Sequence, residues 1–366
     1  MQSKERTVRT ALAIGLVVAQ VACGNSDKGG SAAKGGASGA LSSGGDSADG
    51  SGGISAGGTI QSGASGAGLG GTSGTGGKAS GSGGSAANGQ SGSTGASTGG
   101  VGGASTSTAC TVGAWPAADP SAAGPYATVT ETNVGPATDG VAFTLFRPKD
   151  FSPTLCHPLV TWGNGTGSTP SLYKVVLNHL ASHGFVVIAS DSMNVGQGTP
   201  PPMLNGVTWV LAQNDDPASP LYHHIDVTHI GATGHSQGGF ATSTASGDER
   251  ITASAPLCGA STQRNLRGPA WLFCGGADTT VPCSTVQSAF DSIKTQPAML
   301  ARLIAADHAN WVTFRGTKPS AAETAMTAWM RVHLMGDTAL RSWFYGSSCK
   351  LCTDSAWEIT QKMMDQ

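Results

Sequence analysis

The sequence predicts an α/β fold, a mostly parallel central sheet covered by helices on both faces, confined to residues 109–366. Three observations carry this prediction. Short apolar runs alternate with longer amphipathic segments, and several of those runs open into Gly-rich turns at their carboxyl ends. At 234–238 the run Gly-His-Ser-Gln-Gly marks a place where an apolar stretch must turn abruptly into a helix.

Taken in order, strands are expected at 127–131, 141–147 and 158–162, followed by a helix at 171–182 that Gly184 stops. The strand 185–189 comes next, then a helix at 207–213 and the apolar strand 225–233. Phe240 and the Ala/Thr/Ser run to Ser246 continue out of the turn as a tightly packed helix. Strands at 251–257, 269–274 and 299–304 and helices at 284–294 and 320–335 complete the alternation. In an open parallel sheet the site lies at the carboxyl ends of the strands.

The turn at 234–238 is the most informative of these ends. Small residues two positions either side of Ser236 let the incoming strand and outgoing helix pass close together, and the strained serine is held out at the top of the sheet. A serine hydroxyl is a weak nucleophile until a base takes its proton. An acid and a base follow. Asp278 stands in the turn after the strand 269–274, and His308 stands in the loop after the strand 299–304. The chain order Ser236, Asp278, His308 is that of an α/β-hydrolase triad.

Rival residues read differently. Asp307 neighbours His308 on an extended loop, so its side chain points away from the imidazole and is expected to bond the loop or solvent. Asp191 precedes the nucleophile and is assigned a structural or rim role. His235 is read as a packed, hydrogen-bonded histidine. His223, His224 and Asp226 match no standard metal-ligand spacing, and no metal is expected there.

Acyl transfer through a tetrahedral intermediate needs backbone donors for its oxyanion. One is the N–H of Gln237, the residue after the nucleophile. The other is expected in the loop after 158–162, where Gly163, Asn164, Gly165, Thr166 and Gly167 let the backbone turn its amides toward a substrate. Thr166 is the first choice, with Gly165 as the alternative.

Residues 182–191 (Ser-His-Gly-Phe-Val-Val-Ile-Ala-Ser-Asp), the Gly-His-Ser-Gln-Gly-Gly run 234–239, Ala-Pro-Leu at 255–257 and Asp-Thr-Thr-Val-Pro at 278–282 together resemble bacterial cutinases and polyester hydrolases of the PET hydrolase type. The likeness extends from about Tyr126 to about Leu334. It implies an open-grooved α/β-hydrolase that cleaves carboxylic esters without a metal or other cofactor. It further implies Ser236 as nucleophile, Asp278 as acid, His308 as base and amide donors at Thr166 and Gln237.

Departures from that family bear on substrate. Thr166 stands where these enzymes usually carry a tyrosine, and Ala260 where they carry a tryptophan. Without that aromatic clamp, stacking on an aromatic diacid loses its main support, so short-chain or polymeric aliphatic esters are the expected substrates. Trp311 is read either as a partial replacement in the groove or as a residue packed under the histidine loop, and Gly167 as part of the groove rim. Gln237 replaces the usual methionine and makes the groove floor more polar.

Upstream, Lys4, Arg6 and Arg9 precede an apolar stretch at 11–22 that is too short to span a bilayer, which predicts an export signal over 1–23. Cys23, between Ala22 and Gly24, resembles a lipoprotein acceptor, although Gln20 stands where leucine is usual; simple secretion is the alternative. Residues 24–108 are almost wholly Gly, Ser, Ala and Thr, too poor in apolar surface to offset ordering entropy, and read as a tether of about 50 Å root-mean-square reach. The lipid anchor would hold the enzyme at the outer membrane or cell surface.

The net charge of −2 gives no electrostatic pull toward nucleic acid or anionic lipid. The expected partner is an ester substrate, with the chain acting as a monomer. Of the eight cysteines, seven remain beside Cys23, and export favours disulfides among them. Cys110 with Cys156, Cys274 with Cys283 and Cys349 with Cys352 are candidate pairs, Cys283 with one of the terminal pair is an equal alternative, and Cys258 is left as the free thiol. The functional expectation is a serine esterase. The alternatives are a serine peptidase or acyltransferase on the same fold, or a tethered binding module without catalysis.

Overall fold

A computed structural model describes residues 110–136, 139–198, 201–263, 265–311 and 319–364. The export signal, Cys23 and the tether over 24–108 lie outside the described residues. The strands are β1 (Thr128–Val134), β2 (Phe143–Pro148), β3 (His157–Gly163), β4 (Val186–Ser190), β5 (Ile225–His235), β6 (Ile251–Leu257), β7 (Ala270–Gly275), β8 (Ala298–Leu303) and β9 (Trp357–Lys362). The helices are α1 (Lys174–Ser182), α2 (Pro202–Asp215), α3 (Gln237–Ala245), α4 (Cys283–Ser292), α5 (Ala321–Leu334) and α6 (Lys350–Thr353). One sheet holds all these strands in the order β1-β2-β4-β3-β5-β6-β7-β8-β9. The block from β4 through β8 is parallel; β1, β2 and β9 pair antiparallel at the two margins.

The central strands are buried on both faces, which is why they read as continuous apolar runs rather than alternating ones. Side chains still alternate between two cores. Val160, Trp162 and Phe273 face α1 and α5, where they meet Leu177, Met326 and Trp329. Leu159, Ile188 and Ile230 face α2 and α3, and Leu272 and Leu300 face α4.

The expected elements differ from the structure mostly at their ends, and three of the helix starts have a local cause. The helix expected from 171 begins as a 3-10 turn at Pro170–Tyr173 before α1 proper, because proline fits the first helical position. α2 starts at Pro202, ahead of the expected 207, for the same reason. α5 starts where Ser320 forms a reciprocal capping box with Glu323. β9 is absent from the sequence reading. After the buried Trp357 its residues are partly buried or exposed, and what makes them a strand is pairing with β8, from Leu303 opposite Trp357 to Ala298 opposite Lys362.

Three disulfides join Cys110 to Cys156, Cys274 to Cys283 and Cys349 to Cys352, leaving Cys258 as a buried thiol. The alternative pairing of Cys283 with a C-terminal cysteine is thereby excluded. Cys274–Cys283 closes the turn that carries Asp278. Among the described residues no helix is long and apolar enough to cross a membrane.

Candidate active site

β5 runs straight into Ser236, whose φ of 58° and ψ of −118° reverse the chain before α3 begins at Gln237. A β-carbon on an L-residue disfavours that backbone region, so the strain is held by the surrounding packing. The Ser236 N–H donates to the Leu257 carbonyl at 2.9 Å, tying the turn to the end of β6. Glycine is required on either side: a Cβ at Gly234 would sit 2.7 Å from the Gly163 carbonyl oxygen, and one at Gly238 would run into the same carbonyl. Gly238→Ala is therefore expected to cost about 3 kcal/mol and to push β3 away from the turn. Chemical denaturation checks this, and a variant as stable and active as the parent would contradict it.

At the carboxyl ends of β5, β7 and β8 the three predicted side chains meet. His308 Nε2 lies 3.0 Å from Ser236 Oγ, and His308 Nδ1 lies 2.7 Å from Asp278 Oδ2. The other Asp278 oxygen accepts the Thr280 and Val281 backbone N–H groups at 2.8 and 2.9 Å. Burial works to raise the Asp278 pKa, but the His308 bond and those two amides outweigh it and hold the carboxyl below its ordinary value. An ionised Asp278 accepts from Nδ1–H. That leaves Nε2 bare and facing the serine hydroxyl, the tautomer in which an imidazole can take the hydroxyl proton.

The oxyanion loop resolves between the two expected donors. The Gly165 N–H donates to the Tyr173 hydroxyl at 3.0 Å, so the alternative at Gly165 is corrected: its amide is already spent. The Gly167 N–H donates to the Met193 carbonyl at 3.0 Å. Thr166, exposed between them, has no acceptor for its N–H among the described residues. The Gln237 N–H opens α3 and has no acceptor one turn back, as at any helix start.

Of the expected groove residues, Gly167 lies exposed on its loop with φ +69°. Ala260 is a correction. It is 2 % exposed and packs with Leu266, Ala270 and Phe290 in the core under α4, so it lines no groove. The chain after β6 turns at Cys258, whose φ is 48°, and the next residue, Gly259, has no room for a Cβ beside the Ser236 carbonyl. The backbone of Trp311 ends the 3-10 turn that His308 begins; its side chain lies outside the described residues.

The rivals take the places expected of them. Asp307 accepts the Ala309 N–H, and Asp191 accepts the Thr144 hydroxyl. Asp226 is held by Thr228 and His229, His224 stacks on Phe151, and His223 stacks on Tyr222. His235, Cys258 and His308 have potential ligand atoms within 4.8 Å of one another, but both imidazoles use their two ring nitrogens in hydrogen bonds.

Sequence reasoning missed Tyr173 and Gly196. Tyr173 is buried beside the oxyanion loop, and Gly196 leaves room for the Gln237 side chain, whose Cγ would lie 3.2 Å from a Cβ there. Only a tyrosine placed shortly after the Gly-rich loop hinted at the first. No curated protein matches the chain. A family model described as PET hydrolase-like matches residues 105–361, most of the sequence, and the chain belongs to this PET hydrolase-like family of serine ester hydrolases with the α/β-hydrolase fold.

Proposed function

We propose that this protein hydrolyses carboxylic esters through an acyl-enzyme. His308 takes the Ser236 proton as Oγ attacks the ester carbonyl, and the oxyanion is received by the Thr166 and Gln237 amides. The imidazolium, steadied by Asp278, then returns that proton to the leaving alkoxide. Water activated by the same imidazole attacks the acyl-enzyme and releases the acid, regenerating Ser236. The single observation that carries this reading is the continuous pair of contacts, 2.7 Å from Asp278 to His308 and 3.0 Å from His308 to Ser236. The test is labelling with a fluorophosphonate, which traps an activated serine: the parent protein takes the label and Ser236→Ala does not. An unlabelled parent would favour a binding module without catalysis. Product analysis with ester, peptide and alcohol-acceptor substrates separates the esterase from a peptidase or acyltransferase.

Aliphatic esters, short-chain or polymeric, are the substrates this site favours. Thr166 supplies no ring to stack on an aromatic diacid, and the burial of Ala260 leaves no clamp residue at that position. Exposed Leu172 and Met193 border the oxyanion loop and offer apolar contact to an alkyl chain. Turnover of an aliphatic polyester is accordingly expected to exceed that of a terephthalate polyester by about fivefold or more, since an aromatic stack is worth about 0.5–1.5 kcal/mol on each face. Equal or faster release of terephthalate would refute this preference.

The exported, tethered arrangement is part of the same proposal, with the catalytic domain at 109–366 carried on the 24–108 tether and Cys23 as the acyl-bearing residue. Metabolic labelling with a palmitate analogue, lost in Cys23→Ser, tests the anchor.

A further inference from the structure

We infer that Tyr173 and His235 are positioning residues that tie the oxyanion loop to the loop of the catalytic base; this rests on the esterase reading above. Three hydrogen bonds make the connection. The Gly165 N–H donates to Tyr173 Oη at 3.0 Å, Tyr173 Oη lies 3.0 Å from His235 Nδ1, and His235 Nε2 lies 2.8 Å from the backbone carbonyl oxygen of His308.

The direction of each proton is fixed by the ends. A carbonyl only accepts, so Nε2 of His235 must carry its proton. Burial, with His308 beside it, pushes the His235 pKa down to about 3, so the ring is neutral and Nδ1 is bare. Nδ1 therefore accepts the Tyr173 hydroxyl proton, and that hydroxyl oxygen is free to accept from Gly165. Every member is satisfied in that order, with the Ser168 side chain also beside the Tyr173 hydroxyl, and both side chains are buried, Tyr173 at 1 % and His235 at 4 % exposure. Bonds of this kind gain strength in a low-dielectric interior and leave a costly orphan when cut.

What the strut joins explains its use. One end holds Gly165, whose carbonyl carbon is bonded to the Thr166 nitrogen. The other end holds the backbone of His308, which sets where its imidazole meets Ser236. The middle member is the residue before Ser236. These loops come from strands far apart in the chain, Tyr173 and His235 being 62 positions apart and His235 and His308 73. Without a cross-link each loop would relax independently, and the oxyanion amide, nucleophile and base have to be in register at the same moment.

The test is a mutant cycle on p-nitrophenyl acetate, with rates normalised to the fluorophosphonate-titrated site concentration. Tyr173→Phe removes the hydroxyl. His235→Gln keeps a donor near the Nε2 position and removes the Nδ1 acceptor, so both changes cut the same bond. Each single variant is expected to lower kcat about 10- to 100-fold with KM within about twofold, the signature of misplaced reacting groups rather than lost substrate contact. The double variant is expected to fall no further than about twofold below the worse single, because the strut is already broken. A boronic acid inhibitor, which needs base and oxyanion amides together, should weaken in parallel with kcat.

Singles with unchanged kcat, or effects that multiply in the double variant, would overturn the proposal while leaving the esterase reading intact. A parent protein that neither hydrolyses the ester nor takes the label would remove both. Should the variants fail to fold, nitrogen-15 NMR of the parent decides: His235 must appear as the neutral Nε2–H tautomer at pH 7.5, and an Nδ1–H tautomer would overturn the strut.

Discussion

Ser236→Ala is expected to lower kcat/KM on p-nitrophenyl esters by about 10⁴- to 10⁶-fold while leaving the unfolding midpoint nearly unchanged. The side chain loses one oxygen that bonds only His308 among the described residues, and the strained turn keeps its Cβ, its flanking glycines and its bond to the Leu257 carbonyl. His308→Ala should cost a similar factor, and the double variant little more, since nucleophile and base act as a unit. Asp278→Asn is the more instructive change. An amide at this position can donate to Nδ1 and reverse the imidazole tautomer, so Nε2 would carry a proton and face Ser236 as a donor. A loss of about 10⁴-fold is expected for that reason alone. The variant also gives up a carboxylate that accepts two backbone amides, so its stability should fall where that of Ser236→Ala does not. Steady-state kinetics beside thermal unfolding separates the two effects, and residual activity above about one per cent in Ser236→Ala would mean that another nucleophile carries the reaction.

Acid is expected to destabilise the fold well before the carboxylates titrate. Burial pushes His157 and His183 down to about 4, and His235 and His333 to about 3. For His157 the reason is visible in its bonds. Nδ1–H donates to the Gly184 carbonyl at 2.6 Å and bare Nε2 accepts the Ser152 N–H at 2.8 Å, so a second proton has nowhere to go. In the unfolded chain these rings titrate near 6.5, so below that pH the unfolded state binds more protons than the folded one. Stability then falls as pH falls. The contribution is complete above pH 6.5 and is lost progressively down to pH 4 for two of the rings and pH 3 for the others. Each ring costs about 1.4 kcal/mol per pH unit in that window. At pH 5 the four together remove a sizeable part of the about 5–15 kcal/mol that holds a typical domain. Glu323, raised by burial, works in the opposite sense, while His179 and His224, also lowered by burial, add to the loss. Urea unfolding at pH 8, 6.5 and 5 checks this: midpoints should be flat above 6.5 and drop steeply below it. A midpoint at pH 5 equal to that at pH 8 would show that these rings are not held neutral.

Much of this molecule could be read from its letters because the relevant physics is local. The run of apolar strands, the small residues around Ser236 and the order Ser236, Asp278, His308 depend on near neighbours and on chain direction, and all reappear in the structure at strand ends of the parallel block. That the Gly165 amide is taken was not legible: it is used by Tyr173, eight positions on. Ala260 was misread because its burial comes from the turn at Cys258 and from packing with Leu266, Ala270 and Phe290, which no spacing rule encodes. β9 was missed because an edge strand with one open face takes its shape from its partner, β8, some sixty residues earlier in the chain. The link from Gly165 through Tyr173 and His235 to His308 belongs to the same class.

The sequence by itself determined the fold class, the strand-end positions of Ser236, Asp278 and His308 and the small residues that let the turn at Ser236 form. The tertiary structure alone decided which loop amide is already bonded, which groups flank each imidazole nitrogen and which cysteines meet. The division has a physical cause. Propensity and steric exclusion act between residues close in the chain, whereas hydrogen-bond partnership and burial depend on segments brought together only when the sheet assembles and its two faces are covered.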